Sequence, residues 1–179
     1  MRRNEKADIV IGVDPDVDRN GCALLDVEKR SLSVNMLRFP DLIEYIVKQE
    51  AAARAAGRRL LVVVEAGWMN RCNFHIARSH GKQGVASLGV DQGRNEQVGR
   101  LIGEMMDFHG VAYVFKLPLC KCWSGRDRKI TKEEIEQVVG QKLGRINQEG
   151  RDAALLAWAH AGLPIRYKAH AARAKSSTQ

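Results

Sequence analysis

Four acidic residues occupy positions from which a folded chain could bring them together. Asp14 and Glu65 each end a short apolar run. Glu149 and Asp152 are three residues apart, so on a helix they share one face. Crowded carboxylates repel one another and burial adds to that cost, so such a cluster persists when a cation neutralises it. Carboxylate oxygens favour Mg²⁺ or Mn²⁺, and the pattern therefore predicts a site for a hard divalent cation.

Each acid also has an ordinary structural explanation. Asp14 precedes Pro15 and could simply form a turn, and Glu65 could be a surface acid at a strand end. Asp152 could cap a helix, because acids interact well with the positive end of the helix dipole. Two strand-end acids combined with an acidic pair at helical spacing favour a shared site over separate coincidences.

The apolar patterns predict five strands. Short links join the first three, residues 9–14, 22–27 and 31–39, which predicts an antiparallel meander. Two continuous apolar runs, residues 59–65 and 111–115, predict the fourth and fifth strands. The segment from Gly67 to Gln97 is rich in Gly, Asn, Gln and Arg and is predicted to be a long loop, with a short helix around Asn73 to Arg78.

Four helices are expected between and after these strands. Helical spacing of apolar residues, with start and stop signals, predicts them over residues 40–57, 98–110, 131–143 and 151–161. Thr131 and Glu134 predict a capping box at the start of the third helix. The order βββαβαβαα predicts an α/β fold, a mixed five-stranded sheet with helices on both faces, which is the element order of the RNase H-like fold. Strands one and four can then lie parallel and adjacent, so that Asp14 and Glu65 meet at one edge.

The size and charge of the chain limit its organisation and partners. Its 179 residues, 45% of them hydrophobic, suit a single domain over residues 1–179, and the basic, Ala- and Ser-rich segment 165–179 is expected to be a flexible tail. A net charge of +8 and a pI near 9.6 favour a polyanionic partner such as nucleic acid. A mildly basic surface with no specific partner would give the same values.

Membrane and secreted proteins are not expected from this sequence. No segment approaches the roughly 20 apolar residues of a membrane span, and the start MRRNEKAD lacks the apolar stretch of a secretory signal. The four cysteines form no C-x-x-C pair and are predicted to be reduced thiols of a cytoplasmic protein: Cys22, Cys72, Cys120 and Cys122. A metal shared by the C-x-C pair Cys120 and Cys122 is the alternative.

Three segments together resemble a known family of nucleases. IGVDPDVDRNGCALL is similar to the first hairpin of that family, G-[IV]-D-P-G with a glycine in the second strand. VVVEAGW is similar to its strand ending in Glu with an aromatic residue three positions later, and EGRDAALLA resembles its acidic helix D-A-A-D-A-L-A. The chain thus resembles the RuvC-type Holliday junction resolvases of the RNase H-like superfamily, from about Ile9 to Leu163.

The resemblance implies roles for the matching residues. The metal-binding acids of the family match Asp14, Glu65, Glu149 and Asp152. Trp68 matches the aromatic residue that stacks on a base at the junction centre, although a Trp after a strand is also a common core residue. Lys132 is the best match for a lysine that assists catalysis, with Lys129 as the alternative. Basic side chains expected to contact DNA, at least half of which could be merely solvated, are Arg71, Arg78, Lys82, Arg94, Lys121, Arg126, Arg128 and Lys129.

Four positions depart from the family pattern. Asp16 stands where the family has glycine, which predicts an extra negative charge beside the site. Glu149 stands where the family more often has Asp, so this ligand arm is one methylene longer. Gly150 and Arg151 replace small Ala residues, which predicts either a looser start of the helix or an arginine directed at phosphate.

The resemblance implies two-metal hydrolysis of a phosphodiester bond in branched DNA, a reaction of recombination and repair. Two Mg²⁺ or Mn²⁺ ions per site would activate a water and stabilise the leaving 3′ oxygen. Asp14 would bridge the ions, Glu65 would hold one, and Asp152 with Glu149 the other. Lys132 would neutralise charge that builds on the phosphate. Because a four-way junction has two-fold symmetry, a homodimer is expected, with the helix that carries Met105 and Met106 as its interface unless both methionines simply pack on the sheet.

Three other functions share parts of this pattern. A transposase or recombinase nuclease of the same fold would usually carry further domains. A catalytically idle RNase H-like module would bind nucleic acid without cutting it. Half of an actin-like ATPase would need a longer chain with a second copy of the first hairpin. Cleavage of four-way junctions in a divalent metal, with duplex and flap controls, distinguishes a resolvase from these alternatives.

Overall fold

The computed structural model of the chain describes residues 6–70 and 82–167, and for residues 82–92 it describes the helical backbone. Five strands form one mixed sheet: β1 (Ile9–Asp14), β2 (Asn20–Asp26), β3 (Ser31–Leu37), β4 (Leu60–Glu65) and β5 (Tyr113–Lys116). Their order across the sheet is β3-β2-β1-β4-β5. The first three strands are antiparallel neighbours, and β4 runs parallel to both β1 and β5. This confirms the predicted meander, the parallel pairing of strands one and four, and the RNase H-like arrangement.

Among the described residues, four helices cover the two faces of the sheet: α1 (Phe39–Ala55), α2 (Lys82–His109), α3 (Lys132–Val139) and α4 (Gln148–His160). Side chains alternate along β1, so Ile11 and Val13 pack with α1 and α2 while Val10 packs with α3 and α4. Each face has its own buried cluster, and the residues at the cluster centres, such as Ile11 and Ala153, are fully buried. In the described part of the chain, no helix combines the length and apolarity needed to cross a membrane.

The helices differ from the sequence prediction at their ends. α2 begins at Lys82, well before the predicted start near Val98, so the predicted loop is wrong for residues 82–97. Gly84, Gly89 and Gly93 in that stretch are poor helix formers, which favoured a loop, but propensity is a weak signal that tertiary context overrides. α4 begins earlier than predicted as well, because Asn147 supplies its N-cap.

The capping box of α3 is confirmed. Thr131 accepts a hydrogen bond from the backbone of Glu134, whose carboxylate accepts one from the backbone of Thr131. This helix ends at Val139, short of the predicted residue 143, because Gly140 adopts a left-handed conformation with φ of 72°. The predicted short helix at 73–78 lies outside the described residues, as do Cys72 and most of the predicted tail 165–179.

Candidate active site

Side-chain alternation places the two strand-end acids on the face that α4 covers. The parallel register pairs Val13 with Val64, so Asp14 and Glu65 are the next residues on neighbouring strands. Val13 and Val64 belong to the cluster under α1 and α2. The following residue on each strand must point to the opposite face. Both carboxylates therefore point towards α4, where Asp152 is close enough to affect the pKa of each.

Two glycines allow α4 to approach the sheet at this point. A Cβ atom at Gly12 would lie 2.3 Å from the carbonyl oxygen of Ala153, and one at Gly21 would lie 2.1 Å from that of Glu149. Gly21 is also the cross-strand partner of Asp14. A side chain at Gly21 would therefore push the start of α4 away from Asp14. Because Gly21 has no Cβ atom, Glu149 can come close enough for its charge to raise the pKa of Asp14.

Asp152 is held by two donors. Nε2 of Gln148 donates to its Oδ1 at 2.8 Å, and Nζ of Lys129 lies 3.4 Å from its Oδ2. The helix cap is Asn147, whose side chain accepts a hydrogen bond from the backbone N–H of Gly150. Asp152 therefore does not cap α4, and the ordinary explanation of this acid is wrong.

The strand-end acids have raised pKa values because they are buried among like charges. Burial, followed by the charges of Glu65 and Asp152, raises the pKa of Asp14 well above its usual value. Burial and the charge of Asp152 raise the pKa of Glu65 to about 6. Lys129 lowers both pKa values, and Lys121 also lowers that of Glu65, without cancelling the effect of burial. Such values are typical of carboxylates at a functional site.

The acids line one side of an open cavity of about 290 Å³ at the edge of the sheet. Three carboxylates form its acidic wall: Asp14, Glu65 and Asp152. The segment between β5 and α3 forms the facing wall and supplies three of the predicted DNA-binding cations: Lys121, Arg128 and Lys129. An acidic wall beside a basic one can hold a cation and an adjoining phosphate at the same time.

The donor chemistry of this cavity fits a hard divalent cation. Its acidic wall offers only oxygen ligands, and their mutual repulsion is what a cation would relieve. Within residues 6–70 and 93–167, however, no three acidic, histidine or cysteine side chains converge closely enough to hold a metal by themselves. Lys129 supplies the positive charge nearest to Asp152 in this arrangement.

Lys129, rather than Lys132, is the lysine that the fold brings to the acids. Lys132 is the first residue of α3, and its Nζ lies 3.8 Å from Glu136 on the same helix. It does not line the cavity. The chain is extended at Lys129 and Thr131, just before α3, and this places Lys129 at Asp152; which lysine assists catalysis stays a prediction.

The departures at Asp16 and Arg151 serve the local structure. The Oδ1 atom of Asp16 accepts hydrogen bonds from the backbone N–H groups of Asp18 and Arg19, and its Oδ2 accepts one from Asn95 of α2. This carboxylate therefore closes the β1–β2 turn and ties it to α2. Arg151 donates hydrogen bonds to the backbone oxygens of Ile130 and Ile146 and to the side chain of Gln148.

Trp68 lies in a short 3-10 helix (Gly67–Met69) after β4. Its neighbours Gly67 and Asn70 line the cavity, whereas its own ring packs towards α2. Its ring meets Phe115 edge to face at 5.1 Å between centroids, and the guanidinium of Arg100 lies 5.0 Å from the ring centroid. A Cβ atom at Gly99 would lie 2.6 Å from the indole, so the ring packs closely on α2. Trp68 is partly buried and fixed in place, which the sequence did not show.

The remaining residues predicted to contact DNA lie away from the cavity or outside the residues that the structure describes. Arg126 is exposed beside Asp127, and Arg94 is exposed on α2. Arg71, Arg78 and the side chain of Lys82 lie outside the described residues. Sequence reasoning missed Gln148, although its spacing of four residues from Asp152 on a helix was a signal for contact.

Comparison with known proteins found no matching family model and no matching curated protein. Among solved structures, the chain is similar to Thermus thermophilus RuvC in complex with a Holliday junction substrate, with a TM-score of 0.47 and 16% identity over 86% of this chain and 92% of that chain. It is similar to the Fowlpox virus resolvase in complex with Holliday junction DNA, with a TM-score of 0.42 and 12% identity over 86% and 97% of the two chains. A third similar structure is the large terminase nuclease of the thermophilic phage G20c, with a TM-score of 0.32 and 13% identity over 86% and 82%. At these identities the likeness concerns the fold and not the reaction.

Proposed function

We propose that the chain is a divalent-metal-dependent endonuclease that cuts branched DNA, with four-way junctions as its substrate. The observation that carries this proposal is the cluster of Asp14, Glu65 and Asp152, partly buried at one sheet edge and faced by a basic wall. Burying mutually repelling carboxylates is costly, and a bound divalent cation would relieve the repulsion that Lys129 offsets only in part. A phosphodiester is the substrate that fits both walls.

Each acid has a defined place in the proposed reaction. The charges of Glu65, Asp152 and Glu149 all raise the pKa of Asp14, so Asp14 would be shared by both ions, with Glu65 holding one and Asp152 with Glu149 the other. When bound, two divalent ions supply an activated water and stabilise the leaving 3′ oxygen. Mg²⁺ and Mn²⁺ both suit the oxygen ligands.

The basic wall would bind and orient the phosphate. Lys129 takes the role first assigned to Lys132, because its Nζ lies at the acid cluster and can neutralise charge that builds on the phosphate. Lys121 and Arg128 line the same cavity and would hold the neighbouring backbone. The preference for junctions rests on the sequence resemblance, which matches Trp68 to an aromatic residue that stacks on a base; the neighbouring Gly67 lines the cavity.

The proposed active form is a homodimer, because symmetric cuts in a junction need two sites. An apolar groove of about 570 Å³ lies between α1 and α2 and is lined by Ile43, Val47 and Met105, among others. Phe108, beside this groove, is 80% exposed. An exposed aromatic side chain next to an apolar groove suits contact with a second copy of the chain, and Met106 does not contribute because it is buried against the sheet.

A second candidate is an RNase H-like module that binds branched DNA without cutting it. The ion pair between Lys129 and Asp152 favours this alternative, since it neutralises one acid without a metal. The deciding experiment incubates the full chain with a labelled four-way junction in Mg²⁺, Mn²⁺ or chelator, with duplex and flap controls. Metal-dependent paired cuts in the junction support the nuclease; tight junction binding with no cleavage in either metal supports the idle module.

A further inference from the structure

Asp152 is the end of a hydrogen-bonded relay on the first turns of α4. Nε2 of Gln148 donates to Oδ1 of Asp152 at 2.8 Å and, more weakly, to the backbone oxygen of Ile130 at 3.4 Å. Both amide hydrogens of Gln148 are therefore engaged. Its Oε1 accepts a hydrogen bond of 2.7 Å from Nη2 of Arg151. Gln148 is four residues from Asp152 and three from Arg151, the spacings at which helical side chains meet.

Arg151 determines which way the glutamine amide faces. A guanidinium only donates hydrogen bonds, so the oxygen of Gln148 must point towards it and the NH₂ group must point towards Asp152. The guanidinium itself is anchored to backbone, with Nε donating to Ile130 at 3.1 Å and Nη1 to Ile146 at 3.2 Å. Because three hydrogen bonds hold the planar guanidinium of Arg151 in place, the Gln148 amide has one favourable orientation.

We propose that Gln148, held by Arg151, is a positioning residue that sets how Asp152 presents its carboxylate to the divalent cation. Because Gln148 donates to Oδ1, it fixes the orientation of the Asp152 carboxylate, whose Oδ2 faces Lys129. This inference rests on the proposed function. Hydrogen-bonded partners of metal ligands fix ligand orientation, and their loss typically costs about 10- to 100-fold in metal affinity or activity.

The test compares two glutamines that receive the same substitution. Gln148→Met keeps the side-chain volume and removes the donor to Asp152. Gln141→Met is the matched control, because Gln141 is also partly buried and hydrogen-bonded at both ends, to the backbone of Leu32, far along the chain from the acids. Mn²⁺ binding is followed by electron paramagnetic resonance without DNA, alongside junction cleavage as a function of Mn²⁺ concentration and a thermal melt.

We expect Gln148→Met to weaken Mn²⁺ binding and raise the half-saturating Mn²⁺ for cleavage by about tenfold or more, with Gln141→Met unchanged in both. Arg151→Lys should give an intermediate loss, because lysine supplies a donor without the anchored fork. If wild type binds Mn²⁺ and cleaves but the two methionine variants behave alike, the relay is overturned while the nuclease stands. If wild type neither binds Mn²⁺ nor cleaves, the proposed function itself fails.

Discussion

The Nζ atom of Lys129 lies 3.4 Å from Oδ2 of Asp152, whereas Nζ of Lys132 is 3.8 Å from Oε1 of Glu136. These two lysines are three residues apart, yet Lys129 pairs with an acid of the cluster and Lys132 pairs with an acid of its own helix. The first pair lies in the cavity and the second on α3 outside it. This difference makes the catalytic lysine testable by matched substitutions.

Lys129→Met is expected to slow junction cleavage by about 10²-fold or more, the usual effect of removing one group that stabilises transition-state charge. Lys132→Met should change the rate by less than about threefold, because Lys132 pairs with Glu136 on its own helix and does not line the cavity. Single-turnover cleavage at saturating Mg²⁺ measures both. Equal losses in the two variants would contradict the assignment of Lys129.

Asp14→Asn is expected to abolish cleavage while junction affinity stays within about threefold of wild type. The reason is that Asp14 lies on the acidic wall, whereas phosphate contacts come from the basic wall. Binding is measured by fluorescence anisotropy and cleavage on the same labelled junction. For wild type, Ca²⁺ should support binding without cutting, because its looser coordination misplaces the water. A folded Asp14→Asn that loses binding and cleavage together would count against the site.

Without divalent metal, the protein should lose stability as the pH rises from about 4.5 to about 6. The pKa of Glu65 is raised from 4.5 to about 6, so in this window the folded state binds more protons than the unfolded state. Glu65 alone then accounts for a loss of about 2 kcal/mol, which is complete above that pKa. The raised pKa of Asp14 likewise lowers the stability of the fold as the pH rises.

Urea unfolding of wild type and Glu65→Gln, at the two ends of this pH range, measures the effect as a difference between proteins. Taking the difference cancels the pH-dependent contributions of titrating groups that both proteins share. One such group is Asp26, whose pKa is lowered by its hydrogen bond with Arg58. The free energy of unfolding of Glu65→Gln should increase relative to that of wild type as the pH rises. A constant difference between the two proteins would show that Glu65 titrates normally.

Trp68→Ala is expected to reduce both stability and junction selectivity. Loss of the edge-to-face contact with Phe115 and of the Arg100 contact should cost about 1–2.5 kcal/mol of folding free energy. Loss of a base stack should weaken junction binding by a further ~1–3 kcal/mol and leave duplex binding nearly unchanged. Arg100→Ala is the control, since it uncovers the ring without removing it. If both variants keep the junction-to-duplex ratio of wild type, Trp68 is a packing residue only.

Phe108→Glu is expected to convert the proposed dimer to a monomer with little change in melting temperature, because Phe108 is 80% exposed in the single chain. A buried charge is tolerated poorly at an apolar interface. Phe108→Leu should retain association. Sedimentation velocity measures the oligomeric state, and a junction in a supercoiled plasmid shows whether the two cuts remain paired. A wild-type chain that is monomeric with and without junction DNA would refute the dimer.

Much of this architecture was predictable from the sequence because the relevant signals are local. The continuous apolar run that ends on Asp14, the alternation in residues 31–37 and the Thr131 to Glu134 capping box each depend on neighbouring residues alone. Strand-end acids on parallel neighbours must meet at one edge, so the pairing of Asp14 with Glu65 followed from the element order. The sequence therefore determined that Asp14 and Glu65 end neighbouring strands.

The tertiary structure decided how that cluster is completed. Lys129 and Lys132 are equally basic in the sequence, and only the path of the chain before α3 separates them. The need for glycine at Gly21 arises from the backbone of Glu149, which is distant along the chain. The role of Gln148 depends on an amide orientation that Arg151 imposes through contacts with Ile130. Long-range packing and side-chain direction are properties of the assembled sheet and helices, which local periodicity does not encode.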